Sequence, residues 1–138
     1  MNLQLESDWT SNELYLVASK GYSLYLQGRY REAAIVFMGL MAIEPRNRYF
    51  RVALATIYVS QEDFERALDQ LNQLVARYPN DLEARARRCE VYLRLERRKE
   101  AQDDLNYLSR REVSHVGRLR LLMGTFLSRR SRNSSEAT

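Results

Sequence analysis

Few residues in this 138-residue chain could do covalent chemistry: one cysteine, Cys89, one histidine, His115, and a carboxylate pair, Asp103 and Asp104. A reactive thiol needs a cationic or basic neighbour to ionise it, and paired carboxylates need a pocket that sets their pKa values apart. The spacing supplies neither. Cys89 falls at a small-residue phase of a helical pattern and reads as a packing residue. His115, beside Ser114, lies between two helical stretches and reads as a cap or surface residue. Asp103 and Asp104 fall by phase on the solvent side of a helix. The sequence has no glycine-rich phosphate loop and no metal-ligand cluster. It is therefore read as a non-enzyme with no cofactor and no metal, and any function has to come from non-covalent binding.

The elements that would build a binding surface follow from composition. The chain is 45% hydrophobic and 29% charged, the balance of one globular domain. Five Gly and two Pro are too few for the frequent turns of an all-β chain, so long helices are expected. The start MNLQLESDW lacks a basic region followed by an apolar stretch, and a lone cysteine cannot form an internal disulfide, so a cytoplasmic location is expected. The longest apolar run, Ala33 to Ile43, is eleven residues. That is about half of a bilayer span, so no membrane span is expected. Charge is uneven: residues 1–83 carry 8 basic and 11 acidic side chains, residues 84–138 carry 14 and 7. Clustered arginine could serve nucleic acid. Acidic residues interleave throughout Glu83–Asp104, however, which is the pattern of a solvated helical face, so no nucleic-acid partner is expected.

The organising feature is an internal repeat of 34 residues. Ala33, Ala67 and Ala101 share one phase, in GRYREA, EDFERA and ERRKEA. Phe37, Leu71 and Leu105 share another, as do Leu40, Leu74 and Leu108. Pro45 and Pro79 share a phase with Val113. Upstream, Leu24, Tyr58, Tyr92 and Phe126 keep step, and so do Gly21, Ala55, Cys89 and Met123. Each unit reads as two antiparallel helices, with proline stopping the second. The expected pairs are Asn12–Gln27 with Tyr30–Ile43, Arg46–Ser60 with Phe64–Tyr78, and Leu82–Leu95 with Lys99–Arg111. A seventh helix, about Ser114–Arg129, would cap the stack. Thr10 and Glu13 form a capping-box pattern that starts the first helix near Ser11. The Arg- and Ser-rich end, Ser128 to Thr138, reads as disordered.

This pattern resembles the tetratricopeptide repeat over about Leu14 to Leu127. The resemblance implies an all-α fold, a right-handed superhelix of three helix-turn-helix repeats (14–47, 48–81 and 82–115) plus a capping helix at 114–129. Together these make one domain over residues 1–129, followed by a basic tail at 130–138. The third repeat departs most, with Arg88 at an expected Leu and Arg98 at an expected aromatic; there the packing weakens or the helix edge turns to solvent. The fold also implies a concave groove lined by the first helix of each pair. Its positions are Tyr15, Ala18, Tyr22, Tyr25 and Leu26, then Tyr49, Val52, Thr56, Val59 and Ser60, then Glu83, Ala86, Glu90, Leu93 and Arg94. The first two sets are apolar and tyrosine-rich, suited to gripping an extended peptide. Some repeat proteins of this kind clamp the C-terminal carboxylate of heat-shock chaperones with Lys and Asn. Here the clamp phases hold Ala18, Tyr22 and Ala53, leaving Arg87 as the only basic match, so that function is not expected.

The runs GYSLYLQGRYREAAIVFMGLMAIEP (21–45) and RYFRVALATIY (48–58) resemble the class II chaperones of bacterial type III secretion, which hold translocator subunits before export. That resemblance implies a protein or peptide client bound by Tyr22, Tyr25 and their neighbours. The family usually carries a longer N-terminal helix used in dimerisation, whereas thirteen residues precede Leu14, so a homodimer is left open. A needle-subunit chaperone of the same system and a generic scaffold for protein complexes are the alternatives. A chaperone groove would bind apolar peptide with little salt dependence, a scaffold would take a folded partner, and nucleic-acid affinity would fall steeply with salt.

Overall fold

The same turn closes the first helix of each repeat. In the computed structural model, which describes residues 9–111 and 116–124, Gly28, Glu62 and Glu96 all take a left-handed backbone conformation, with φ of 75°, 57° and 58°. They lie 34 residues apart. At each, two backbone bonds capture carbonyls that the ending helix leaves unpaired: Gly28 N–H to Tyr25 O and Arg29 N–H to Leu24 O, then Glu62 to Val59 and Asp63 to Tyr58, then Glu96 to Leu93 and Arg97 to Tyr92. This is a Schellman closure, built with glycine once and with a strained glutamate twice.

The chain divides into two compact units, Met1–Asp63 and Phe64–Thr138, so the boundary falls inside the second repeat. The first unit holds α1 (Ser11–Leu26), α2 (Tyr30–Ile43) and α3 (Arg48–Ser60). Thr10 caps α1 in a full capping box: its hydroxyl accepts from Glu13 N–H, and the Glu13 carboxylate accepts from Thr10 N–H at 2.7 Å. α3 begins two residues later than its apolar pattern suggests, because Asn47 acts as the cap, accepting from Tyr49 N–H at 3.0 Å. Leu14, Ala18, Ala33, Phe37, Leu40, Phe50 and Leu54 are buried, and the Phe37 and Phe50 rings lie 6.4 Å apart. Gly21 permits the close pairing of α1 with α2, since a Cβ there would stand 2.8 Å from Val36 Cγ1 and 2.9 Å from the Phe37 ring.

The second unit holds α4 (Phe64–Arg77), α5 (Leu82–Arg94), α6 (Arg98–Ser109) and a further helical stretch at residues 116–124. Asp81 caps α5 by accepting from Ala84 N–H. Val116 and Leu119 of the last stretch join a core of Cys89, Leu93, Ala101, Leu105 and Leu108, with Leu122 and Met123 against its edge. His115, Ser114, Val113 and the tail from residue 125 lie outside the described residues.

Two expectations for the third repeat are corrected. Asp104 does not share the solvent face of Asp103; it is 2% exposed. Arg88 neither loosens the packing nor turns outward. Its guanidinium grips the buried carboxylate with two bonds, Nη2 to Oδ1 at 2.6 Å and Nε to Oδ2 at 2.9 Å. Arg85 Nη1 approaches Oδ1 at 3.5 Å. The bond to Asp104 holds the Arg88 guanidinium above its ordinary pKa, against the opposing pull of burial. A charged pair has thus replaced the usual apolar contact. Around it, Arg85 stacks on the Tyr107 ring, 3.7 Å from its centroid, and the Tyr107 hydroxyl donates to Pro79 O at 3.1 Å.

Two stability tests follow, both read from urea midpoints. Glu62→Gly should stabilise by about 0.5–1 kcal/mol, because a left-handed glutamate costs more than the glycine loses in unfolded-state entropy; a lower midpoint would show that the glutamate side chain compensates. Asp104→Ala should cost about 3 kcal/mol by leaving the buried Arg88 without its counter-charge. An unchanged midpoint in Asp104→Ala would mean that the pair contributes nothing the core needs.

Candidate functional site

Because α1 buries Leu14, Ala18 and Gly21, the residues between them must face away from the core. Tyr15, Tyr22 and Leu26 lie seven and four residues apart, so helical spacing sets them along one stripe. All three are open to water, Tyr15 at 72% and Tyr22 at 50%. α3 contributes Tyr49, 54% exposed, and Val59, also exposed, with Val52, Thr56 and Ser60 half-buried. None of these side chains carries a formal charge.

At one end of this surface, α1 and α3 enclose an open cleft of about 360 Å³, lined by Ser11, Leu14, Tyr15, Ala18, Glu44, Asn47, Tyr49 and Phe50. Its floor is apolar, made of the buried Leu14, Ala18 and Phe50. Tyr15 and Tyr49 line it, and Ser11, Glu44 and Asn47 add polar groups. The Tyr49 ring is held edge-on against Phe50 at 6.0 Å and Phe37 at 6.5 Å. Asn47 Nδ2 donates to Glu44 Oε2 at 2.9 Å, so the residue that caps α3 also lines the cleft. Along the stripe, Tyr25 is half-buried. Its ring packs on Tyr22 at 6.1 Å and Tyr30 at 5.6 Å, and its hydroxyl accepts from Ser60 Oγ at 3.3 Å.

The expected groove residues therefore do different jobs. Tyr15, Tyr22, Leu26, Tyr49 and Val59 are exposed; Tyr25, Val52 and Thr56 are half-buried; Ala18 is cleft floor. Leu93, in the second unit, is buried in the core of α5 and α6. Ala86 is buried too, while Glu83 pairs with Arg87 at 3.0 Å and Glu90 with Arg118 at 3.3 Å. Ser11, Leu14, Glu44, Asn47 and Phe50 line the cleft without standing among the expected groove positions. Asn47 carried a signal, a cap-forming side chain two residues before an aromatic.

The one thiol is poorly placed to react. The Cys89 thiol is fully buried and donates to Ala101 O at 3.3 Å. Burial, its largest influence, pushes its pKa up to about 12, so it stays protonated at neutral pH. Among the described residues no cluster of His, Cys, Asp and Glu could hold a metal ion, and no helix is long and apolar enough to cross a membrane. What the α1–α3 face can do is remove apolar side chains from water against tyrosine rings.

Comparison with known proteins bears on the fold. A tetratricopeptide repeat family model matches residues 24–86. No curated protein matches the sequence. Among solved structures, PcrH from Pseudomonas aeruginosa is similar with a TM-score of 0.76 at 16% identity, over 91% of this chain and 99% of that one. The Yersinia enterocolitica type III secretion chaperone SycD, in complex with a peptide of the translocator YopD, is similar with a TM-score of 0.75 at 15% identity, over 88% and 97%. The first tetratricopeptide repeat domain of Spaghetti (RPAP3), bound to an HSP90 peptide, has a TM-score of 0.71 at 23% identity, over 86% and 96%. Residues 24–86 are thus tetratricopeptide-repeat sequence, and the chain has the tetratricopeptide-repeat fold, resembling in structure the translocator chaperones of type III secretion.

Proposed function

We propose that this chain is a cytoplasmic chaperone that holds an extended, apolar segment of an export-bound type III secretion client, of the translocator kind, on its α1–α3 face. The observation that carries the reading is the uncharged stripe of exposed Tyr15, Tyr22, Leu26 and Tyr49 over an apolar cleft. Large apolar side chains left open to water are costly to keep unless something covers them. A peptide side chain seated in the cleft would gain about 1.5–3 kcal/mol from burial, and since association costs about 4–15 kcal/mol, an extended segment with several such anchors is required. SycD with its YopD peptide, and PcrH with the chaperone binding region of PopB, are structurally similar complexes of the kind this reading requires.

The HSP90-peptide reading suggested by the RPAP3 neighbour has less support. Ala18, Tyr22 and Ala53 offer no donor to a carboxylate, and Arg87 is engaged by Glu83. Needle-subunit chaperoning and a generic scaffold role remain the other uses of the same face. They differ in the client, not in the surface.

The test uses overlapping peptides tiled across the translocator and needle subunits of the source organism, titrated by fluorescence anisotropy. Tyr15→Ala and Tyr22→Ala should each weaken the tightest peptide by about 2 kcal/mol, roughly thirtyfold. Both rings are largely solvated, so stability should move by less than about 0.5 kcal/mol. Raising salt should change affinity little. A panel in which no peptide outbinds its scrambled version, or full affinity in the Tyr15→Ala, Tyr22→Ala double variant, would overturn the proposal.

A further inference from the structure

Three helix ends border the cleft between α1 and α3, and they are not charged alike. Ser11 opens α1 and Asn47 caps α3, so two positive N-terminal ends stand there. Both are already answered: the Glu13 carboxylate takes Thr10 N–H at 2.7 Å, and the Asn47 side-chain oxygen takes Tyr49 N–H at 3.0 Å. The third end is the negative one. α2 stops at Ile43 with Glu44 as its C-terminal cap, and its last turn has no basic residue. An acidic side chain at that end of a helix is electrostatically unfavourable. The repeat does not ask for it, since the residue 34 positions on, also followed by proline, is Tyr78. Of the side chains lining the cleft, Glu44 alone carries a formal charge. Among the described residues its carboxylate forms no ion pair; Arg46 and Arg48, which flank Asn47 in sequence, are each engaged elsewhere and stand outside the cleft lining.

We propose that Glu44 selects what the cleft accepts: a lysine or arginine side chain of the bound segment, with its aliphatic stem against Leu14, Ala18 and Phe50 and its charge on the Glu44 carboxylate. This inference rests on the client-binding reading of the α1–α3 face and adds to it that the apolar segment carries one basic anchor. A long cationic side chain buries its stem on apolar surface while its head seeks a polar partner, and the cleft supplies both, an apolar floor and one acid. Asn47 Nδ2 holds Glu44 Oε2 at 2.9 Å, which orients the carboxylate and leaves its other oxygen to be met from outside. Tyr15 and Tyr49 line the same cleft, and tyrosine rings attract a cation over their faces. A leucine anchor would use the floor but strip water from a carboxylate left unpaired, and an acidic anchor would be repelled by it. Glu44 is half-buried, so the pair is screened less than one on the open surface. The small salt dependence expected of this face is therefore kept.

The test takes the tightest peptide of the tiled panel, acetylated at its N-terminus so that only a side chain can supply the charge, and replaces each Lys or Arg in turn by norleucine. Anisotropy titrations against the wild type and Glu44→Gln close a double-mutant cycle at each position. Glutamine keeps an oxygen that accepts from Asn47 Nδ2, so the urea midpoint should not move. At one position norleucine should weaken binding to the wild type about tenfold, and in Glu44→Gln the same exchange should change nothing. Glu44→Lys should reverse the preference, taking the peptide with Glu at that position over the one with its native basic residue. A tightest peptide with no Lys or Arg, or a Glu44→Gln variant that keeps the wild-type ratio of native to norleucine affinity at every position, overturns the proposal. The two readings fail differently. If Tyr15→Ala and Tyr22→Ala weaken the peptide while Glu44→Gln shows no coupling, the client face stands and the basic anchor falls; a panel in which no peptide outbinds its scrambled version removes both.

Discussion

The constraint from which the rest follows is the close approach of α1 to α2 in the first repeat and of α5 to α6 in the third. Where they meet, both sides must be small. Gly21 leaves no room for a Cβ against Val36 and Phe37. At the same phase in the third repeat, Cys89 fits with its sulfur 3.3 Å from the Ala101 carbonyl. Ala33, Cys89 and Ala101 have no exposed surface at all. With the pairing that tight, only a short left-handed turn can connect the helices. The chain makes that turn at Gly28 and at Glu96, even at the cost of strain in the glutamate.

That pairing decides what is left over for function. In α1 the buried side is fixed by Leu14, Ala18 and Gly21, so tyrosines seven residues apart have nowhere to go but outward. The caps belong to the same logic. Asn47 ends the turn after Pro45, starts α3 and, through Glu44, shapes the cleft beside Tyr49. In the third repeat, corresponding surface positions are instead filled by ion pairs and buried Leu93. The apolar, tyrosine-lined character belongs to the first unit.

Much of this was legible in the sequence, because the period couples every phase to its equivalents. α2 matches its expected bounds, and the capping box at Thr10 and Glu13 could be read three residues apart. The turn residues could also have been found by stepping 34 from Gly28, although glutamate is a poor advertisement for a left-handed position. Giving Asp103 and Asp104 one common phase misplaces Asp104, because adjacent residues point about 100° apart on a helix: Asp104, three residues from Ala101 and four from Leu108, lies with them on the buried side of α6. Its partners Arg85 and Arg88 sit one turn apart on α5. Tyr25 and Tyr22 could not be separated from spacing alone, since whether a ring packs on Tyr30 and Ser60 depends on the crossing of α1 with its neighbours.

The most direct measurement of the central claim is backbone hydrogen exchange with and without a tight-binding client peptide, read residue by residue. If the α1–α3 face holds the client, protection should rise along residues 11–26 and 48–60, with the largest gains near Tyr15 and Tyr49, and exchange in α5 and α6 should be unchanged. Protection confined to the charged helices α5 and α6, with none in α1, would contradict the account and move the working surface to the basic half of the chain.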